Sequence, residues 1–177
     1  MYHPKYFATS IEDMAKQVLP EHLFRKNGIV SLRLMDERVL QTIDMLRFHL
    51  NVPLTVNNWQ WGGNRNWSGF RDVKYFKTTA DYLNSESQHI FGRGLDFINR
   101  KMVAHEVRKF IIENKHLFPY ITFLEVGPLK GKTEEREMTW VHFDCRMIEP
   151  WLDNDTIVCW SPVLGYVSEA TVIKNKL

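Results

Sequence analysis

The first clear periodicity runs through "DERVLQTIDMLRFHLN", residues 36–51. Val39, Ile43, Leu46 and Leu50 recur at helical spacing and mark one apolar face. Asp36 stands where an N-cap belongs, and Pro53 follows the end. "NRKMVAHEVRKFIIENKHLF" predicts a second helix over about 100–115. Asn99 is its expected cap, and Met102, Val103, Val107, Phe110 and Ile111 its buried stripe. The other ordered stretches alternate with period two. They are 54–59 "LTVNNW", 93–98 "RGLDFI", 121–126 "ITFLEV", 139–147 "TWVHFDCRM" and "TIVCW" nearer the end. In the second of these, Leu95 and Phe97 share one face and Asp96 and Ile98 the other. In the fourth, Val141, Phe143 and Cys145 share the apolar face, and Trp140, His142, Asp144 and Arg146 the polar one. Strands with two long helices and no regular βαβ alternation predict an α+β fold. The first four strands should form one mainly antiparallel sheet, with both helices packed on its apolar face.

The 177 residues fit a single domain, 1–177, with N- and C-terminal extensions around a core of about 36–148. No apolar run approaches the roughly 20 residues needed to cross a bilayer. The start, "MYHPKYFATSIEDMAK", has no basic region followed by an apolar one, so no secretory signal is read there. A net charge of +2, with bases and acids interleaved, does not make a nucleic-acid stripe, and no nucleic-acid partner is expected. Cys145 and Cys159 both sit in apolar strand-like runs, which favours buried free thiols over a disulfide framework. A monomer is expected.

Chemistry enters with "SQHIFGRGLDF", residues 87–97. It places His89 in a turn and Asp96 in the strand that follows. Alone the pairing is weak, because a lone histidine beside a strand is more often a hydrogen-bonded structural residue. His142 strengthens it, lying between Trp140 and Asp144 on a face turned away from the core. Two imidazoles and a carboxylate suit a catalytic zinc, which keeps three protein ligands and one open position. Upstream, "QWGGNRNWSGFRD" carries Trp59, Trp61 and Trp67 in an aperiodic segment that either lines a groove or packs over the core.

Together, "SQHIFGRGLDF" and, about fifty residues on, "WVHFD" resemble the M15 zinc peptidases. That family comprises D-Ala-D-Ala carboxypeptidases and L-alanyl-D-glutamate endopeptidases. The likeness is to its bacteriophage and bacterial cell-wall branch, and the fold is shared with hedgehog signalling domains. The resemblance covers about 36–148. It implies that His89, Asp96 and His142 hold Zn2+, that Ser87 buttresses them by hydrogen bonding, and that Arg71 of "WSGFR" steadies the substrate oxyanion or carboxylate. The implied substrate is a peptidoglycan stem peptide, with the loop around Trp61 and Trp67 as one wall of the cleft. The implied place of action is the cell wall or a phage particle.

This chain departs from the family pattern at two positions. Gly94 replaces an alanine, a change expected to be sterically harmless. Thr139 stands where many members carry an acid as general base. Glu125, ending the preceding strand, is the favoured replacement. It would lie beside His142 if the two strands pair antiparallel. Glu137 is the alternative, though its odd offset puts it on the other face of His142's strand. Asp144 is expected to support His142. The missing acid also admits a second reading, a zinc-binding virion or binding protein that keeps the fold without turnover.

Overall fold

The computed structural model describes residues 2–127, 138–146 and 156–177. In chain order its helices and strands are α1 (Ile11–Val18), α2 (Glu21–Asn27), α3 (Glu37–Leu50), α4 (Thr79–Leu83), β1 (Gly94–Phe97), α5 (Ala104–Glu113), β2 (Phe123–Glu125), β3 (Val141–Asp144), β4 (Val158–Ser161), β5 (Gly165–Val167) and α6 (Glu169–Asn175). The strands form one sheet in the order β1-β3-β2-β4-β5. Every pair is antiparallel except β2 with β4, which run parallel. The fold is α+β, as the pattern predicts.

α3 forms where the periodicity places it. The Asp36 carboxylate accepts from the Arg38 N–H and caps it. Val39, Ile43, Leu46 and Leu50 are buried together with Leu95, Phe97, Leu124, Val141 and Phe143 from the sheet. One helix face and one sheet face thus close a common apolar core, which also takes in Phe7 and Val172 from the chain's two ends. The strand alternation holds as well. Leu95, Phe97, Val141, Phe143 and Cys145 point into the core, which leaves Asp96, His142 and Asp144 on the opposite face. Both cysteines are free and buried.

Two expected elements differ. Residues 54–59 are not a sheet strand; Thr55 makes only an isolated bridge with Ile98. The asparagines account for this. The Asn57 amide donates to the Leu19 carbonyl and accepts from the Ser68 N–H, and its backbone N–H goes to the Gln17 carbonyl. The Asn58 carbonyl accepts from Trp61 and Gly63, folding the chain into a turn. Side chains that satisfy nearby backbone groups offer the chain an alternative to a ladder. Asn99 behaves similarly. Its Oδ1 accepts from the N–H groups of Lys101 and Met102, making an Asx turn in place of a cap, and α5 starts only at Ala104. Val103 is therefore exposed, and the buried stripe is Ala104, Val107, Arg108, Ile111 and Ile112.

Asp44, in the middle of α3, is a buried carboxylate that the periodicity did not single out. It accepts from the Tyr2 hydroxyl (2.7 Å) and from the backbone N–H groups of Lys5, Tyr6 and Phe7 (2.9, 2.7 and 2.6 Å). The first residues of the chain are thereby tied to the core helix.

Candidate metal centre

Register assembles the site. Asp96 lies opposite His142, His142 opposite Glu125, Glu125 beside Trp160, and Trp160 opposite Tyr166. These five residues make one transverse row across all five strands. All five line a cleft of about 580 Å3, together with Arg71, Glu86, Ser87, His89, Phe123, Trp140 and Arg146. The antiparallel pairing expected of Glu125 and His142 is what the structure has.

His89 enters from the single 3-10 turn Gln88–Phe91 that precedes β1. Its Nδ1–H donates to the Gly69 carbonyl at 2.7 Å. A carbonyl can only accept, so the proton sits on Nδ1 and the Nε2 lone pair faces Asp96 Oδ1, 3.3 Å away. Burial lowers the His89 pKa below 6.5 and outweighs the attraction of Asp96, so the ring is neutral at neutral pH. Two lone pairs then oppose each other across a gap, an arrangement that only a proton or a cation makes favourable. Gly69 itself has no room for a side chain, because a Cβ would run into the Val18 carbonyl. That close approach is the physical content of the glycine in "WSGFR". Ser68 completes the strut, its carbonyl accepting from the Asp96 N–H at 2.7 Å.

His142 binds carboxylates at both nitrogens. Nδ1 donates to Asp96 Oδ1 at 2.7 Å and Nε2 to Asp144 Oδ2 at 3.3 Å. Burial opposes protonation of this ring, but the hydrogen bonds to Asp144 and Asp96 outweigh it and raise its pKa to about 9. Burial likewise works to raise Asp96, yet attraction to the two imidazoles, whichever of them carries the shared proton, and the hydrogen bond from His142 hold it well below 3.8. For Glu125 burial wins and raises the carboxyl above 4.5, against the lowering effect of His142. His89, Asp96 and His142 each offer a donor atom, and the three lie within 4.8 Å of one another. Donors at about 2.0–2.2 Å from an ion is the spacing such a set closes to, and two nitrogens with one oxygen is a donor set suited to zinc. The residues fit the group that the resemblance implies.

The Asp144 side chain is fully buried, fixed by Arg146 Nη2 at 2.6 Å and Nε at 2.9 Å. Arg146 in turn lies over the Phe123 ring, 3.6 Å from its centre. Asp144 thus accepts from His142 Nε2, and its oxygens are already engaged. Arg71 reaches the site, but onto Asp96: Nη2 donates to Asp96 Oδ2 and Nε to the Trp67 carbonyl, both at 2.8 Å. No hydrogen bond from Nη1 is made among the described residues.

Three expected roles fall elsewhere. The Ser87 hydroxyl makes no hydrogen bond among the described residues; the Gly69 carbonyl takes the buttressing role expected of it. Trp67 packs between His22 and Tyr75, with ring centres 5.5 and 5.7 Å away, and Trp61 lies outside the cleft on another hollow. The cleft's aromatic lining is Phe123, Trp140, Trp160 and Tyr166. Alternation in "TIVCW" opposes Trp160 to the buried Cys159, but its neighbour across the sheet was not readable from one strand. Gly94 is also less neutral than expected. A Cβ there would meet His142 Cε1 at 3.2 Å, tight enough to push on the ring. Glu137 lies outside the described residues.

Comparison with protein-family models, curated proteins and solved structures finds no match to this chain. Among the described residues no helix is long and apolar enough to cross a membrane.

The charge arrangement sets an expected pH dependence for the metal-free protein. His142 is raised from 6.5 to about 9, so its stabilisation is complete below pH 6.5 and is lost as the pH rises through about 9. Thermal midpoints in chelator should fall between pH 6.5 and 9.5, and His142→Gln should flatten that limb. An unchanged limb in the variant would remove His142 as its cause.

Proposed function

We propose that this protein is a zinc peptidase that hydrolyses amide bonds in peptidoglycan stem peptides, as a carboxypeptidase or an endopeptidase. The observation that carries this reading is the convergence of His89 Nε2, His142 and Asp96 in a cleft whose floor presents Glu125 from the adjoining strand. The resemblance to M15 peptidases supports the choice of substrate.

When bound there, zinc supplies Lewis acidity toward a water and toward the scissile carbonyl. The chain's own groups do the rest. Glu125, raised toward neutrality by burial, takes the proton from the attacking water and returns it to the leaving amine. Asp144 keeps a proton on His142 Nε2, which leaves Nδ1 as the donor atom turned toward Asp96. Arg71 positions Asp96 through Oδ2 and keeps Nη1 for a substrate oxygen. Phe123, Trp160 and Tyr166 offer the peptide an apolar wall beside the base.

Purified protein should hold about one zinc per chain, as three protein ligands imply. His142→Ala should lose it, read by elemental analysis after gel filtration. Full retention in that variant would remove His142 from the ligand set. Zinc uptake at pH 7.5 should release about one proton per chain, because a protonated His142 must give up its Nδ1 proton to become a ligand. Calorimetry in buffers of different ionisation enthalpy counts it.

Digestion of purified peptidoglycan, followed by mass spectrometry of the fragments, tests the activity and names the bond. New amino termini that depend on zinc support the proposal. Their absence from protein loaded with one zinc per chain would leave the other reading, a metal-binding virion or binding protein.

A further inference from the structure

The second hollow, of about 470 Å3, begins where the cleft's strand continues. Ile98 lines it and lies two residues beyond Asp96 on the same face, about 7 Å further along the chain. The aromatic residue lining it is Trp61, with 62% of its surface open to solvent. An indole left so open usually belongs to a mobile tip, but this one sits on a knitted turn. The Asn58 carbonyl accepts from the N–H groups of Trp61 and Gly63, and the Asn58 N–H donates to the Arg65 carbonyl. Asn58 Oδ1 closes the loop by accepting from the Arg65 N–H at 2.9 Å. The backbone that carries the ring is therefore held.

The polar lining is made of donors. Asn58 Oδ1 is used on Arg65, and Asn99 Oδ1 on Lys101 and Met102. Those bonds fix the orientation of both amides and leave each Nδ2 without an acceptor among the described residues. Arg100 and Lys101 supply two cations at the same hollow. A ligand matched to this lining has a flat apolar face for Trp61, several acceptor oxygens for the amides, and a negative charge for the arginine and lysine.

We infer that the hollow bounded by Trp61, Asn58, Asn99, Arg100 and Lys101 is a binding site for an acidic saccharide. A pyranose stacks its C–H face on Trp61, its hydroxyl or acetamido oxygens accept from the two amides, and its carboxylate or phosphate meets the cations. A nucleic acid fits less well, because two cations beside one ring do not extend into a stripe that follows a phosphate backbone. The site stands on its own lining, whatever the metal centre hydrolyses.

The test is an NMR titration read at the tryptophan indole N–H signals, with the Trp61 signal assigned from Trp61→Phe. The probes are N-acetylmuramic acid, N-acetylglucosamine 6-phosphate, neutral N-acetylglucosamine and an eight-residue thymidine oligonucleotide. Both acidic sugars, or one of them, should shift the Trp61 signal at several-fold lower concentration than the neutral sugar; which one does so separates carboxylate from phosphate recognition. Trp61→Ala, with an unchanged thermal midpoint, should weaken the preferred sugar about tenfold or more by isothermal titration calorimetry, the loss usual for a central tryptophan. The double variant Arg100→Gln, Lys101→Gln should bind acidic and neutral sugars alike while retaining the neutral one. The inference is overturned if no sugar moves the Trp61 signal, if Trp61→Ala binds as wild type does, or if the oligonucleotide binds through Trp61 more tightly than either acidic sugar. Sugar binding without peptide cleavage would support this site while removing the peptidase reading.

Discussion

Glu125→Gln should lower zinc-dependent hydrolysis of stem peptides on the order of 100-fold or more, the usual cost of a lost general base, and leave the zinc content unchanged. The glutamine keeps the shape and the cross-strand position opposite His142 but cannot accept a proton at neutral pH. Its neighbours make the effect specific. Asp96 is engaged by His142 and Arg71, and Asp144 by His142 and Arg146. Neither carboxylate is placed to take over. The acid limb of the kcat/KM profile, set by protonation of Glu125, should disappear from the residual activity of the variant. Wild-type rates in Glu125→Gln would return the assignment to Glu137. A variant that also lost its zinc would show that Glu125 supports the ligands and is not the base.

Asp44→Ala should destabilise the fold strongly without touching the candidate metal centre. One buried carboxylate accepts four hydrogen bonds from residues 2–7, so its removal strands three backbone N–H groups or frees the segment altogether. Hydrogen bonds to a charged group contribute about 1.5–3 kcal/mol each, but they are not additive and water recovers part once the segment lifts away. The net loss should be about 3 kcal/mol, or a fall of about 6–12 °C in Tm for a chain of this size. Phe7, buried in the core cluster, would be exposed with it. Asp44→Asn keeps one acceptor oxygen and should lose less. Urea and thermal melts of the zinc-loaded proteins decide it. A loss under about 1 kcal/mol in Asp44→Ala would show that apolar packing alone holds the segment.

Much of this was readable where structure is local. α3 declares itself because its cap, its apolar spacing and its following proline all lie within one stretch of chain. The two faces of β1 and β3 follow from the pleat, so Asp96 and His142 could be assigned to the side away from the core. Placing Glu125 beside His142 takes one further step, antiparallel pairing of β2 with β3, and the sheet has that pairing. What escaped notice depends on contacts between distant segments. Asn57 and Asn99 stand where a strand and a cap are expected, and only their partners at Leu19, Ser68 and Met102 show the other bonds they make. The parallel pairing of β2 with β4 brings Trp160 beside Glu125, and nothing within "TIVCW" announces that register. Ser87 was assigned a hydrogen bond that a backbone carbonyl makes instead, and carbonyls carry no sequence signal.

The row Asp96–His142–Glu125–Trp160–Tyr166 ties assembly of the site to pairing of the strands. Side chains alternate with period two, so slipping β3 by one residue against its neighbours would turn His142 inward and Phe143 out. A sheet formed in the wrong register therefore has no partial site; it has lost a metal ligand and broken the core in the same step. If zinc binds as proposed, an ion held by Asp96 and His142 with His89 would reward only the correct pairing, and would act as a proofreader of the sheet. Refolding yield from denaturant should then rise when zinc is supplied before the strands pair, and gain nothing extra when it is supplied after they have paired wrongly.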